Sequence, residues 1–197
     1  MPAYIFDSIL TQGVRAGQIP ARTADARNWF RDKAASTNVA PSTLIKRNRA
    51  KIVGRTAVGS MYMFQYDPKL KQKLPYYDRF PLIFMIEDYS DGFLGINMHY
   101  LPPQLRARLM DALYDTVNNQ RYDESTKLRV SYNLLKSVAK YKMFKPTVKR
   151  YLTQQVRSRF ILIDPVEWDI ALFLPTQRFS KASADKVWSD SRKMIRG

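Results

Sequence analysis

The sequence contains no cysteine and only one histidine, His99. The missing thiols exclude a disulfide framework, a thiolate metal site and a cysteine nucleophile. A single histidine without cysteine also fails to supply the ligands of the usual zinc site. The absence of cysteine leaves the redox compartment open.

Motifs that bind phosphate or activate a nucleophile are missing as well. The seven glycines are scattered, and they form neither GxxxxGK[ST] nor GxGxxG. A serine nucleophile would depend on His99 as its base, but no GxSxG turn lies near it. The sequence therefore predicts a protein that is not an enzyme, with no catalytic residue, no metal and no cofactor.

Long apolar runs are absent too. The longest, such as FPLIFMIEDY and FLGINMHYL, fall far short of the roughly 20 residues that a bilayer requires. The N-terminal MPAYIFDSIL lacks the basic segment of a signal peptide. We expect neither a membrane-spanning nor a secreted protein.

Acidic residues are scarce, with 17 Asp and Glu against 33 Lys and Arg, and the formal net charge is +16. Residues 125–163 carry ten Lys or Arg and no acid, and residues 33–66 carry six and no acid. Charge runs are often only solvated faces. Two long acid-free segments in one chain favour a surface that meets DNA or an acidic protein.

The spacing of the basic residues predicts where this surface lies. Three of them recur on one face of a predicted helix, and a lysine and an arginine follow beside Tyr151. The predicted binding residues are Arg129, Lys136, Lys140, Lys142, Lys145, Lys149, Arg150, Arg157 and Arg159.

The N-terminal part, residues 1–59, is expected to contain one helix and an extended basic arm. Thr23 is a suitable N-cap for a helix anchored by Trp29 and Phe30. GVRAGQIP, which precedes it, is typical of a loop. Residues 36–60 are basic and poor in large apolar groups, so we expect an arm that gains order only against a partner.

Residues 60–197 are expected to form an α+β core domain. SMYMFQY and SRFILIDP indicate strands, and PLIFMIEDYSDGFLGINMHYL indicates a hairpin whose turn uses a positive φ at Gly92. The pattern predicts a small antiparallel sheet or a partly open barrel flanked by several helices.

The helices are expected after Pro102. One begins at the double proline, a second follows with Ser125 as its cap, KPTVKRYLTQQV forms a short third, and SADKVWSDSRKMI forms the last. PVEWDIALFLP is expected to be a brief buried helix.

The acids leave one enzymatic alternative open, a metal-dependent nuclease. Such a site needs two or three carboxylates and a lysine at one point. Candidates are Glu87, Asp88 and Asp91, Asp123 and Glu124 with Lys127, and Asp164, Glu167 and Asp169. Turn and capping roles explain most of these acids. His99, at a strand-to-helix junction, is likewise better explained as a hydrogen-bonded structural residue.

Three phrases carry a resemblance to a known family. They are GSMYMFQYDPKLKQKLPYYDRFPLIFMI, DGFLGINMHYLPPQLRARLMDALYD with RYDESTKLRVSYNLL, and RYLTQQVRSRFILIDPVEWDIALFLP with FSKASADKVWSDSR. Over roughly residues 60–192 the chain resembles virion proteins of T4-like contractile-tailed bacteriophages, particularly those of marine cyanobacteria.

The resemblance implies a structural protein that assembles into the virion in the host cytoplasm. Two roles stay open: a head protein that binds and protects DNA ends, or a tail, baseplate or neck connector. The implied partners are other virion proteins of the head, neck or tail and, in the first case, double-stranded DNA. The family supplies no catalytic motif.

Overall fold

The structure is a computed structural model. It describes residues 4–19, 23–47, 51–117, 121, 123–138 and 142–197. The helices in this part of the chain are α1 (Ile5–Arg15), α2 (Ala24–Ala35), α3 (Pro41–Arg47), α4 (Pro103–Val117), α5 (Glu124–Val138), α6 (Trp168–Phe173) and α7 (Ala184–Arg196). The strands are β1 (Ile52–Val53), β2 (Met61–Met63), β3 (Tyr77–Asp78), β4 (Leu82–Tyr89), β5 (Gly92–Asn97), β6 (Val148–Leu152), β7 (Phe160–Ile163) and β8 (Phe179–Ser180).

Six strands form one antiparallel sheet in the order β1-β7-β2-β4-β5-β6, and β3 pairs with β8 separately. The sheet does not close on itself, so β6 is an outer strand. The predicted pairing of the segment at 61–66 with the hairpin is confirmed, because Met61 lies opposite Phe84. The predicted α+β class with an antiparallel sheet is confirmed as well.

The sheet buries a hydrophobic cluster on each face, because alternate side chains of a strand point to opposite sides. On the helical side, Phe84 contacts Trp168 of α6 edge to face, with ring centroids 5.1 Å apart. On the other side, Phe64 packs against Phe93 and Tyr151 at 5.6 and 5.4 Å. Aromatic pairs of this kind add about 0.5–1.5 kcal/mol each beyond the area that they bury.

The N-terminal helices belong to the helical layer. Phe6 of α1 and Phe30 of α2 are buried in its core, and the Arg31 guanidinium forms ion pairs with Asp169 of α6 at 2.7 Å and Asp111 of α4 at 2.8 Å. The Thr23 cap of α2 is as predicted, with its hydroxyl accepting from the Ala26 amide. GVRAGQIP is a loop only in part, since α1 runs through Arg15.

The stretch expected to be an extended arm is more ordered than the sequence indicates. Within it, Pro41–Arg47 form a helix whose Leu44 is buried in the core, and Ile52–Val53 pair with β7. Residues 48–50 lie outside the described part. The division of the chain at residues 59 and 60 stays a prediction.

Three local predictions are wrong. The segment expected to be a third helix is a short 3-10 helix, Lys142–Thr147, followed by strand β6. Helix α5 begins before Ser125, and the Asp123 carboxylate caps it by accepting from the Thr126 amide at 2.7 Å. Gly92 does not have a positive φ but lies in β5.

The other helices follow the sequence pattern. Helix α4 begins at Pro103 and buries Leu109 and Leu113, and α7 is capped by Ser183 and buries Val187. PVEWDIALFLP contains the buried helix α6. Within the described ranges, no helix combines the length and apolarity needed to cross a bilayer.

Candidate nucleic-acid interface

Strand β6 places two of the predicted basic residues next to each other. Lys149 pairs with Gly95 of β5, and Arg150 pairs with Leu94. Because neighbouring residues of a strand point to opposite faces, the two cations project on different sides of the sheet. Lys149 shares its side with the buried Tyr151, and Arg150 is exposed.

Lys149 lies in the wall of a cavity of about 150 Å³. Five aromatic residues line this tyrosine cavity: Tyr66, Tyr76, Tyr77, Tyr100 and Tyr151. Tyr66 follows β2, Tyr76 and Tyr77 lie just before and in β3, Tyr100 lies in a 3-10 turn after β5, and Tyr151 lies in β6. The tyrosine cavity exists only because the tertiary fold brings these distant segments together.

The charge of Lys149 is held in this cavity without an acidic partner. Its Nζ atom lies 4.1 Å from the centroid of the Tyr100 ring, so the ring face supplies a cation–π contact. Burial lowers the pKa of the Lys149 ammonium to about 8, and no carboxylate of the described chain opposes this effect. Lys149 is thus a largely buried cation without a carboxylate partner among the described residues.

Asp78 also borders the tyrosine cavity, but its carboxylate is fully used. One oxygen accepts from Asn97 at 3.2 Å and lies 2.7 Å from Nδ1 of His99. The other accepts from the backbone amides of Phe80 and Arg178, at 3.1 and 3.4 Å. Asp78 therefore stabilises the wall of the cavity through these hydrogen bonds.

Arg150 faces the β4–β5 hairpin. Its guanidinium lies 4.2 Å from the centroid of the Tyr89 ring, donates to the carbonyl of Tyr151 at 3.0 Å and forms an ion pair with Asp91. Burial and the nearby Glu87 raise the pKa of the Tyr89 phenol, and the charges of Arg150 and of Lys136 on α5 oppose this rise. The structure thus brings Arg150 and Lys136 to the same tyrosine.

The other described members of the predicted set flank β6. We use the name basic edge for the exposed residues of that set, which are Lys136, Lys142, Lys145, Arg150, Arg157 and Arg159. Lys142 and Lys145 lie on the 3-10 helix before β6, and Arg157 and Arg159 follow it. Arg157 lines a depression with Arg79, whereas Arg159 lines another with Phe160.

Two predicted residues cannot be placed in this way. Arg129 lies on α5, but its side chain is not described, and Lys140 lies outside the described residues. A continuous helical stripe through positions 129, 136 and 140 therefore stays a prediction.

The sequence reasoning missed a second group of cations, in the loop that covers the tyrosine cavity. Lys69 and Lys73 are exposed on this loop, and Arg79 is exposed just after β3. Lys181 fixes the loop, because its ammonium donates to the carbonyls of Lys71, Gln72 and Leu74 at 2.7, 3.1 and 3.0 Å. The alternation of lysine with apolar residues in DPKLKQKLPYY was the available signal.

His99 lies in a buried polar network that resembles a proton relay. Its Nδ1 atom contacts Asp78, and its Nε2 atom lies 3.2 Å from the hydroxyl of Thr176. Both His99 and Thr176 are fully buried, so no substrate reaches the hydroxyl in this conformation. The order of groups is that of a nucleophile, base and acid, but the burial makes it a structural brace, as the sequence indicated for His99.

The acidic candidates of the nuclease alternative are dispersed or paired. Asp169 pairs with Arg31, Glu167 and Asp164 both pair with Lys51, and Asp91 pairs with Arg150. Across the described residues, no three His, Asp or Glu side chains come together in a way that could hold a metal ion.

Comparison with known proteins gives one match. Neither the curated proteins nor the solved structures contain a significant relative of this chain. A protein-family model described as Phage T4 terminal DNA protecting protein matches residues 10–191, which is nearly the whole sequence. The chain therefore belongs to the phage T4 terminal DNA protecting protein family.

Proposed function

We propose that this protein is a non-enzymatic virion component that binds the ends of packaged phage DNA through its basic edge. The observation that carries the proposal is the band of six exposed cations before, on and after β6. Of these six, Arg150 alone forms an ion pair with a carboxylate in the described structure. Five cations are left to meet phosphate, in a chain whose net charge is +16.

The chemistry of this surface suits backbone contacts rather than base reading. The cations are exposed and are distributed over α5, the 3-10 helix before β6, β6 itself and the segment after it, and no described helix presents a row of amide side chains for base edges. Contacts to phosphate hold a protein on the duplex but carry no sequence information. Such binding protects an end of any sequence, which is the property that a terminal DNA protecting protein requires.

The salt dependence of binding to a short duplex tests the proposal. Each phosphate contact contributes about −0.9 to the slope of log K against log salt concentration, so the triple variant Lys136→Ala/Lys142→Ala/Lys145→Ala should flatten the slope by about 2.7. The matched control is Arg15→Ala/Lys33→Ala/Lys46→Ala, which removes three cations from α1, α2 and α3. An equal effect of the two triples would remove the basic edge as the DNA surface.

The same preparation separates the other two roles. A tail, baseplate or neck connector with only protein partners should bind no duplex even at low salt, and its cations would then meet an acidic virion protein. A metal-dependent nuclease should cut linear or plasmid DNA in Mg²⁺ or Mn²⁺, and lose this activity in Asp88→Ala, Asp91→Ala or Asp123→Ala. The description of the family favours intact DNA in these assays.

A further inference from the structure

We propose that the tyrosine cavity receives one unpaired nucleotide from the end of the DNA, with the base against tyrosine rings and its phosphate at Lys149. This inference rests on the proposed function, because it assumes that DNA reaches β6. It goes beyond the proposed function by naming the part of the DNA end that is bound, namely an unpaired terminal nucleotide.

The size and lining of the cavity suit a single base of any kind. About 150 Å³ is well below the roughly 300–1,000 Å³ of pockets for drug-sized ligands, so it suits one ring system rather than a base pair. Five of its ten lining residues are tyrosines. Aromatic faces accept any base by stacking, which matches a protein that must serve ends of any sequence.

The surroundings of Lys149 favour an anion next to that base. Its ammonium is partly dehydrated, has no carboxylate partner and lies on a ring face at the wall of the cavity. Asp78, the one acid that lines the cavity, has both oxygens engaged by other groups. A phosphate that follows the stacked base along the strand would meet a cation and no free carboxylate.

The cavity adjoins the basic edge at Arg150. Leu74 at its rim is 37% exposed, and Arg150 belongs both to the cavity lining and to the basic edge. A strand whose phosphate contacts Arg150 would therefore have its next nucleotide beside the cavity.

A competition assay tests the inference. A labelled duplex with short single-stranded overhangs is displaced by the same sequence as an overhang duplex, as a blunt duplex or as a relaxed closed circle. We expect the overhang form to compete about tenfold better than both the blunt duplex and the circle, since stacking one base changes affinity by roughly this factor or more. Lys149→Met and Tyr76→Leu should each remove most of this preference, and Lys149→Arg should retain it.

Lys46→Met on α3 is the matched control and should keep the full preference for the overhang. Equal competition by the blunt and overhang duplexes in the wild type would overturn the inference and leave the proposed function standing. Uniform weakening for all three DNAs in Lys149→Met would overturn it too, because Lys149 would then be an ordinary phosphate contact. Failure of the wild type to bind any of the DNAs would overturn both proposals.

Discussion

The Nδ1 atom of His99 lies 2.7 Å from Oδ2 of Asp78, and neither side chain is more than 3% exposed. This pair joins the turn after β5 to β3, and therefore fixes the wall of the tyrosine cavity. With the ring proton on Nδ1, the neutral imidazole donates to Asp78 and accepts from the hydroxyl of Thr176. The only histidine in the chain is thus fully hydrogen-bonded.

Replacing His99 by leucine should destabilise the protein by about 2–4 kcal/mol, because a buried carboxylate loses one of its partners. Thr176→Val is the control, and should cost about 1 kcal/mol because it removes a single neutral hydrogen bond. Urea unfolding of the three proteins measures both effects. Equal losses in the two variants would mean that the carboxylate does not depend on His99.

The same pair predicts a pH effect. Burial lowers the pKa of His99, and the neighbouring Asp78 only partly opposes this effect. The folded pKa lies below the unfolded value of about 6.5, so the unfolded chain takes up a proton that the folded chain resists. Stability should fall as the pH drops below about 6.5, and His99→Leu should lack this component.

Replacing Arg106 should destabilise the protein even when the new residue carries the same charge. Its guanidinium is fully enclosed and donates to the carbonyls of Leu101, Leu172 and His99 at 2.7, 2.7 and 3.3 Å. A lysine cannot reproduce this fork, so Arg106→Lys leaves buried carbonyls unpaired and should cost about 2–4 kcal/mol. The exposed neighbour Arg108 is the control, and Arg108→Lys should stay within about 0.5 kcal/mol of the wild type.

The sequence predicted those parts of the fold whose hydrophobic period is uninterrupted. The β4–β5 hairpin consists of two apolar runs around a polar turn, and α4 repeats its leucines at helical spacing. Helix α1 was missed because Gly13 looked like the start of a loop. The structure instead packs Gly13 against the Phe30 ring, where a Cβ atom would overlap the ring. The sequence alone does not distinguish a glycine that is needed for close packing from one that is needed for a turn.

The candidate site was only half predictable for a similar reason. VKRYL alternates as a strand should, yet the preceding proline and the basic residues also fit the first turn of a helix. The sequence therefore singled out Lys149 and Arg150 as candidates but placed them on a helix instead of strand β6. The five tyrosines of the cavity are spread from Tyr66 to Tyr151, and nothing local to them shows that they meet.

Gly92 gives a prediction that follows from its corrected role. It lies in β5 opposite Leu152, and a Cβ atom there would overlap the carbonyl oxygen of Tyr151. Because backbone cannot move aside as a flexible side chain can, Gly92→Ala should cost about 1–3 kcal/mol. Gly54→Ala is the control, since no atom lies within 4 Å of the added methyl group. Thermal unfolding compares the two, and a near-neutral Gly92→Ala would contradict the close approach of β5 and β6.

Removing the charge of Lys149 should raise the stability of the free protein, whereas the substitutions above should lower it. Burial lowers its pKa to about 8, below the unfolded value of about 10.4, so the unfolded chain holds more protons between these values. Wild-type stability should therefore rise relative to Lys149→Met from about pH 8 to about pH 10. At neutral pH the variant should be the more stable by about 1–3 kcal/mol, since the Tyr100 ring offsets part of the desolvation cost.

Lys145→Met, which removes an exposed charge, should show a small difference that does not change with pH. Urea unfolding across this range decides the matter, and a less stable Lys149→Met at neutral pH would mean that the ammonium already has a stabilising partner.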